Sequence, residues 1–272
     1  MTAATGNGEW TADVADQQPM LATATRNLVR LVVGIAIVVA VWAGAVVAFD
    51  IQSWVMPDPM STLTTLVDER STLWDHTQIT ILGSVAGLVV SAVFAVALAA
   101  LFVAFPTTEQ MLLPVAIVFR SIPIVAIAPL ITLFAGRDLR TSIICVTVVS
   151  FFPILVNAAK GFRAMSPELR ELMRVIGASP VQLMRYARFP TALPYLFAGL
   201  RSASAVAVLG ALLAEWLTGV NGLGTLLTLS AALRDTELLW SVVIVATTVS
   251  LALFWTMQSV ERWFMAWSRG ER

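Results

Sequence analysis

The sequence predicts an all-α integral membrane protein with six transmembrane helices and a cytosolic two-helix loop between spans 4 and 5. Three observations predict this class: high hydropathy, six apolar runs of membrane-spanning length, and one basic amphipathic stretch between them. Of the 272 residues, 58% are hydrophobic and only 12% are charged, and the mean hydropathy is +0.84. A soluble domain is about half apolar and a quarter charged. The composition therefore indicates a membrane protein.

Six segments are long and apolar enough to cross a hydrocarbon core, which takes about 20 residues. They cover residues 29–49, 79–105, 111–134, 141–160, 196–217 and 239–262. The third segment contains Pro114, Pro123 and Pro129. Proline removes a backbone donor and clashes with the preceding turn, so this helix is predicted to be kinked or interrupted.

Basic residues predict the orientation, because they are enriched in the cytoplasmic segments of membrane proteins. With the N-terminus inside, twelve basic residues fall on the inner side, four fall on the outer side, and Arg120 lies within the third span. We therefore expect a multi-pass protein of the cell membrane with both termini in the cytosol. The predicted order is a disordered cytosolic tail, a first transmembrane helix with its outer loop, a membrane module and a second cytosolic tail, over residues 1–27, 28–69, 70–265 and 266–272.

Two spans carry a small residue at every fourth position. The second span has Gly83, Gly87, Ser91, Ala95 and Ala99, and the fifth has Gly199, Ala203, Ala207 and Ala211. Small residues at this spacing allow helix backbones to approach closely in lipid. The pattern predicts tight helix contacts, either within one chain or across a dimer.

The longest inner loop, residues 161–195, contains a first short helix. Ser166 is a typical N-cap, Pro167 suits the first helical position, and Gly177 is a typical residue after a helix end. Between them, apolar residues recur at positions i, i+3, i+4 and i+7, which predicts one apolar stripe. The stripe consists of Leu169, Leu172, Met173 and Ile176.

A second short helix follows Gly177. Ser179 and Gln182 form a capping box around Pro180, and the helix is expected to run to about Phe189 and to stop before Pro190. Both helices are too short to be stable alone in water, so they must dock on the membrane helices, the lipid surface or another protein. Their separate starts favour a shaped docking surface.

Two charges lie within predicted spans and are candidates for a translocation pathway. Arg120 either meets an anionic substrate or binds carbonyl groups or lipid phosphate. Glu215, near the outer end of the fifth span, either lines an outer gate or is solvated. The following run "GVNGLGTLL" (219–227) predicts a short outer helix after a glycine-rich turn, or else a flexible loop.

Several kinds of chemistry are disfavoured by the composition. Cys145 and His76 are the only cysteine and histidine, so we expect no disulfide, no metal site and no hydrolytic active site. Lys160 is the only lysine and lacks the glycines of a phosphate-binding loop. The formal net charge of zero gives no indication of nucleic-acid binding. We expect a transport subunit that binds no cofactor, driven by a partner or by an ion gradient.

The residues Glu171, Gly177 and Pro190 stand at the spacing of a known cytosolic signature, Glu-Ala-Ala, three residues, Gly, nine residues, Ile-x-Leu-Pro. On this signature the chain, over about residues 70–265, resembles the permease subunit of an ABC importer of the binding-protein-dependent type I family. The runs at 120–136, 151–172, 189–203 and 212–227 resemble the nitrate, sulfonate and taurine branch. Permeases for thiamine-pyrimidine precursors and riboflavin are closely similar.

The resemblance implies that the two short helices form a coupling loop that seats in a groove on an ATPase subunit, which holds ATP and Mg²⁺. Glu171 would be a polar contact, and Gly177 would set the angle between the helices. Pro190 would end the second helix, and the apolar filling of the seat would be Leu172, Met173 and Ile176.

The implied partners are two ATPase subunits, a second copy of the permease, an extracytoplasmic substrate-binding protein and membrane lipid. Nitrate, a sulfonate, taurine or a vitamin precursor would be the imported solute. The alternative is a self-sufficient secondary transporter or channel driven by an ion gradient. Such proteins commonly carry intramembrane acids and internal repeats.

Overall fold

The computed structural model describes residues 20–265, which form eleven α-helices and one π-helical segment. The helices are α1 (Met20–Ala48), α2 (Pro59–Asp68), α3 (Arg70–Ala104), α4 (Pro106–Ser121), α5 (Ile124–Ala135), α6 (Leu139–Arg163), α7 (Pro167–Val175), α8 (Pro180–Leu183), α9 (Phe189–Thr218), α10 (Leu223–Leu233) and α11 (Thr236–Met265). The π-helical segment is Met184–Arg188. The predicted all-α class is confirmed.

The chain divides into two compact units, residues 1–52 and 53–272. In the first unit, α1 carries an apolar stretch, Val32–Ala48, which contains most of the first predicted span. The tail predicted for residues 1–27 lies outside the described residues as far as residue 19, and α1 occupies the rest of it. The tail predicted for residues 266–272 also lies outside the described residues.

Helix α6 forms the centre of the second unit, and α3 and α9 pack against it. Both small-residue stripes face α6. A Cβ atom placed on Gly87 of α3 would lie 2.5 Å from the Cβ of Val146, and one on Gly199 of α9 would lie 3.0 Å from the Cβ of Asn157. Ala95, Ala99, Ala203, Ala207 and Ala211 are fully buried. The predicted tight contacts are therefore made within one chain.

Four described helices are long and apolar enough to cross a membrane: α3, α6, the continuous stretch Pro180–Thr218, and α11. The third predicted span is interrupted as expected, because α4 ends at Ser121 and α5 begins at Ile124. The break coincides with Pro123, whereas Pro114 and Pro129 lie inside α4 and α5. The total of six spans stays a prediction.

The bundle has two ends, named here by the helices they carry. The α7 end holds α7 and α8, and the α10 end holds α2 and α10 together with the connections between them. Helices α3 and α11 begin at the α10 end, and α9 ends there. This polarity places the two candidate sites described below at different depths.

Candidate functional site

The coupling loop has the predicted cap chemistry at both helix starts. The hydroxyl of Ser166 accepts a hydrogen bond from the backbone N–H of Leu169 at 3.2 Å. Ser179 and Gln182 form the full capping box, at 3.3 Å and 2.8 Å. Hydrogen bonds from its own backbone N–H and from Ser166 hold the pKa of Glu168 below its usual range, next to the positive end of the α7 dipole.

Gly177 forms the turn between α7 and α8. Its φ angle is +65°, in the left-handed region that glycine adopts without strain. The N–H of Ala178 donates a hydrogen bond to the carbonyl of Met173 at 3.0 Å, and the N–H of Gly177 donates one to the carbonyl of Arg174 at 3.0 Å. This arrangement satisfies the last carbonyls of α7 and reverses the chain. The turn therefore depends on a backbone conformation that few other residues adopt.

Pro190 does not end the second helix, and that expectation is wrong. The chain continues without interruption from α8 through the π-helical segment into α9, and Pro190 lies in the first turn of α9. The N–H of Phe189 bonds to the carbonyl of Met184, five residues back. The wider π turn shifts the hydrogen-bond register just before a residue that has no N–H to offer, so the helix accommodates the proline.

The apolar stripe of α7 divides between two faces. Leu169 and Met173 face inward, and Met173 is buried against Met165 and Ala187 in a small core within the loop. Met173 is therefore not available as filling for a partner's groove, contrary to the expectation.

The outward face carries three large apolar side chains that are more than half exposed. The exposed fractions are 55% for Leu172, 78% for Val175 and 65% for Ile176. Glu171 is exposed beside them. Val175 was not predicted, because the i, i+3, i+4, i+7 pattern assigns it to the polar side. An exposed apolar patch on such a short helix marks an interaction surface.

Two contacts tie the α7 end to the membrane helices. Arg163, the last residue of α6, forms an ion pair with Glu109 in the first turn of α4. Arg188 donates a hydrogen bond to the carbonyl of Val103 in α3 at 3.3 Å. Arg188, in the π-helical segment, thus holds the end of the loop against α3, and the Arg163–Glu109 pair joins α6 to α4 beside it.

A second candidate site lies at the break between α4 and α5, within the third predicted span. The break opens into a cavity of about 630 Å³, whose lining includes Arg120, Pro123, Phe152, Asn157 and Ser202. The guanidinium of Arg120 lies over the ring of Phe152, 4.8 Å from its centroid. A cation over an aromatic face is attracted by the ring quadrupole. This contact holds Arg120 at the edge of the cavity.

The lining residues lie at a common depth. At a rise of 1.5 Å per residue, Phe152, Asn157 and Ser202 are about 20–27 Å from the α10-end termini of α6 and α9, and Arg120 contacts the Phe152 ring. A hydrocarbon core is about 30 Å thick. The cavity therefore lies between the two ends of the predicted spans, where a charged side chain is a candidate functional residue.

Glu215 is completely buried, so the interpretation that it is merely solvated is wrong. Its Oε2 accepts hydrogen bonds from the hydroxyl of Thr80 at 3.0 Å and from the N–H of Gly224 at 2.9 Å. The hydroxyl of Thr80 in turn accepts from the N–H of Leu223 at 2.9 Å. Two free N–H groups in the first turn of α10 are thereby capped from α9 and α3.

The connection before α10 packs directly on this carboxylate. Gly222 leaves no room for a Cβ, which would overlap the Glu215 carboxyl group. Nδ1 of His76 lies 2.9 Å from the carbonyl oxygen of Gly222. The predicted short helix is confirmed as α10, and since its Leu223, Leu226 and Ser230 are buried, the flexible-loop alternative is wrong.

We expect Glu215→Leu to destabilise the protein and Glu215→Gln to change its stability little. Leucine leaves the N–H of Gly224 without its acceptor, at about 1–3 kcal/mol for a buried donor, and the hydroxyl of Thr80 keeps only the carbonyl of His76 at 3.3 Å. Glutamine keeps an acceptor oxygen. Thermal melting of the two purified variants in detergent checks this. Equal melting temperatures for both variants would show that the cap contributes nothing.

The structure does not bring Arg120 and Glu215 together. Glu215 is 13 residues beyond Ser202 along α9, about 20 Å nearer to the α10 end, and it does not line the Arg120 cavity. Sequence reasoning missed Asn157, Ser202 and Thr80. Uncharged polar residues in apolar helices are common, and only the tertiary structure brings Asn157 and Ser202 to the Arg120 cavity and Thr80 to Glu215.

Comparison with known proteins gives one family match. Residues 91–266 match the family described as "Binding-protein-dependent transport system inner membrane component". A probable ABC transporter permease protein of Haemophilus influenzae is 28% identical over 227 residues, which cover 84% of this chain and 92% of the relative. The riboflavin transport system permease protein of Chloroflexus aurantiacus is 30% identical over 239 residues, which cover 87% and 89%.

Further curated relatives are named as permeases for aliphatic sulfonates, taurine and nitrate. A solved chain of the MetNI methionine ABC transporter, in an inward-facing conformation, superposes with a TM-score of 0.59 at 20% identity. The match covers 76% of this chain and 98% of the solved chain. At that identity the likeness shows a shared fold.

Proposed function

Because the chain belongs to the family of binding-protein-dependent transport system inner membrane components, we propose that it couples ATP hydrolysis on a separate subunit to the import of a small solute. The family confirms the resemblance to ABC importer permeases that was predicted from Glu171, Gly177 and Pro190. The chain itself is the membrane-spanning permease subunit.

The exposed apolar face of α7 is the observation that carries the coupling proposal. Leu172, Val175 and Ile176 form a patch of large side chains, with Glu171 as a charged neighbour, on a helix whose other face packs in the loop's own core. Removal of exposed apolar side chains from water favours association with a partner. An ATPase groove of matching shape is the partner proposed for this patch.

The continuous helix from Pro180 to Thr218 supports a mechanical link between the loop and the membrane. It has 39 residues and begins directly after the Gly177 turn. Along its length it carries Ser202 at the Arg120 cavity and Glu215 at the base of α10. A displacement of the loop by the ATPase would move these residues together, as rigid elements do in switching between two arrangements.

The assembly proposed for the chain is two permease copies, two ATPase subunits and an extracytoplasmic binding protein. The α7 end, which carries most of the described basic residues, would face the cytosol. The α10 end would face the binding protein, with α10 held in place by Glu215. The Arg120 cavity would lie on the solute pathway, and nitrate, a sulfonate, taurine or a vitamin precursor is the candidate solute.

The alternative of an ion-driven carrier has less support, because the matched family consists of binding-protein-dependent transport components. Ion-driven carriers use intramembrane acids as ion or proton sites. Among the described residues, Glu261 is already paired with Arg201 at 2.9 Å, whereas Glu215 caps α10 through Oε2 and has a buried Oε1 without a hydrogen-bond partner.

Purification of the tagged permease from native membranes in mild detergent tests the function. We expect an ATPase subunit to co-purify at one copy per permease. Glu171→Lys should reduce the amount recovered at least about tenfold, since a reversed charge at an interface costs more than about 1.4 kcal/mol. The matched control is Asp75→Lys, the same charge change on an exposed residue of α3 at the α10 end.

Two results would contradict the proposal. A permease that purifies without an ATPase and still accumulates solute in vesicles lacking ATP would be a self-sufficient carrier. Equal ATPase recovery with Glu171→Lys and Asp75→Lys would remove Glu171 from the interface.

A further inference from the structure

The charge of Arg120 has no partner of opposite sign in the part of the chain that the structure describes. Its guanidinium contacts the Phe152 ring, and no ion pair or hydrogen bond to it is formed by residues 20–265. Other arginines near the membrane helices are satisfied: Arg163 pairs with Glu109, and Arg201 pairs with Glu261. An unpaired charge at membrane depth is unfavourable unless a counter-charge or water reaches it.

A second copy of this chain offers no described carboxylate to serve as that counter-charge. Glu109 and Glu261 are held in ion pairs within their own chain, and Glu215 is buried under α10. Of the other described acids in residues 53–265, Glu168 and Glu171 lie in the loop that carries α7 and α8, and the rest lie toward the α10 end. Within residues 53–265 of either copy, no carboxylate is left to serve as the counter-charge of Arg120, and a bound ligand is the source that these residues leave for it.

The Arg120 cavity also carries neutral groups that suit an oxygen-bearing anion. Asn157 uses one amide hydrogen on the carbonyl of Pro153 at 2.8 Å, which leaves its second amide hydrogen for a ligand. Ser202, on α9, adds a hydroxyl to the lining. The first turn of α5 follows Pro123 with no side-chain cap, so its N–H groups at Ile124 and Val125 are free donors at the positive end of a helix dipole.

The depth of the cavity favours a passing solute over a lipid headgroup as the ligand of Arg120. At 1.5 Å per residue, Arg120 is about 21 Å from the first residue of α4 at the α7 end, and Phe152, which it contacts, is about 20 Å from the first residue of α6 at the α10 end. Headgroup phosphates lie at the surfaces of the bilayer, outside a hydrocarbon core of about 30 Å. A lipid phosphate would have to be drawn well below its normal position to meet this guanidinium.

We propose that the Arg120 cavity is a binding site for a small oxyanion or for the anionic group of a larger solute, held by Arg120, Asn157, Ser202 and the start of α5. The proposal rests on the proposed function, because it places the site on the solute pathway. Within that function it selects anionic solutes, such as nitrate or a sulfonate, over uncharged ones such as riboflavin. Oxygen anions fit a guanidinium because its planar N–H groups donate hydrogen bonds to two oxygens at once.

Thermal stabilisation of the purified chain in lipid-free neutral detergent tests the site. Sodium nitrate and sodium methanesulfonate are titrated at constant ionic strength set with gluconate, and riboflavin is the uncharged probe. We expect a saturable rise in melting temperature with at least one anion, as binding to the folded state requires. Arg120→Gln should weaken the apparent affinity at least about tenfold, the equivalent of 1.4 kcal/mol.

The matched control is Arg140→Gln, an exposed arginine at the α10 end whose loss should leave the anion-dependent shift unchanged. The proposal is overturned if neither anion stabilises the wild-type chain more than Arg120→Gln. It is also overturned if riboflavin gives the only saturable shift and Arg120→Gln does not alter it. Removal of the anion shift by added phosphatidylglycerol at low mole fraction would assign the site to lipid headgroups and reject the solute.

The two proposals fail separately. The anion titration uses the chain without partners, so it reads the cavity whether or not an ATPase co-purifies. Loss of the ATPase in purification refutes the proposed function and leaves the binding result standing. If an ATPase co-purifies and Arg120→Gln leaves the anion-dependent rise in melting temperature unchanged, only the anion site is refuted.

Discussion

Solute uptake is expected to fall at least about a hundredfold when Gly177 is replaced by proline, while the protein still inserts into the membrane. Gly177 has a φ angle of +65°, and the proline ring holds φ near −65°. The α7–α8 turn cannot form with that residue. The apolar face of α7 would then lose its position relative to the continuous helix that begins at Pro180, so ATPase movement would no longer reach α9.

Gly177→Asn is the control, because asparagine adopts the left-handed conformation more readily than other non-glycine residues. A Cβ at this position meets nothing within 4 Å, so the asparagine side chain has space. ATP-dependent uptake into proteoliposomes, with membrane insertion measured in parallel, separates the two variants. Uptake by Gly177→Pro at the rate of Gly177→Asn would show that the turn angle has no part in coupling.

Gly224→Ala is expected to destabilise the fold by more than about 3 kcal/mol, the upper part of the range for overpacked sites. A Cβ at Gly224 would overlap the backbone carbonyl of Leu212 in α9 and would lie 2.9 Å from the Cβ of Glu215. Backbone cannot move aside as a flexible side chain can. Helix α10 would have to shift away from α9, and the hydrogen bond from its N–H to Glu215 would be lost.

Gly44→Ala in α1 is the matched control, since a Cβ there has nothing within 4 Å and alanine is the better helix former. Thermal melting in detergent should show a large decrease for Gly224→Ala and no decrease for Gly44→Ala. If Gly224→Ala had the same melting temperature as the wild type, α10 would not be packed against α9 in solution.

Local chemistry is the part of the coupling loop that the sequence predicted correctly. Ser166, Pro167, Gly177, Ser179 and Gln182 act through neighbours within a few residues, so their effects are encoded in short stretches of chain. Pro190 failed as a stop signal because the preceding π turn rearranges the backbone bonds that would otherwise conflict with it. That rearrangement depends on how the whole segment packs.

Periodicity identified the apolar residues of α7 and could not say which of them face outward. Met173 and Leu172 are adjacent in the same predicted stripe, yet Met173 is buried and Leu172 is exposed. A stripe of four residues on a short helix spans a wide angle. The inward half was selected by Met165 and Ala187, which come from before and after the helix.

Charges within the spans were found from the sequence, but their environments were not. Arg120 was a candidate on charge alone, and its cavity forms only where α5, α6 and α9 meet at one depth. Glu215 was expected near water or at a gate. It is buried instead, because Thr80 and the start of α10 both pack against it. Thr80 is 135 residues away in the chain, so the sequence did not indicate this contact.

The sequence by itself determined the membrane class, the family, the cap chemistry of the coupling loop and the break at Pro123, because composition, spacing and short-range hydrogen bonds act within one stretch of chain. Only the tertiary structure decided that both small-residue stripes pack on α6, that the loop continues unbroken into α9, and that Arg120 lacks a counter-charge while Glu215 has its donors. Those outcomes depend on which helices share a depth and a face. Helix spacing along the chain does not contain that information.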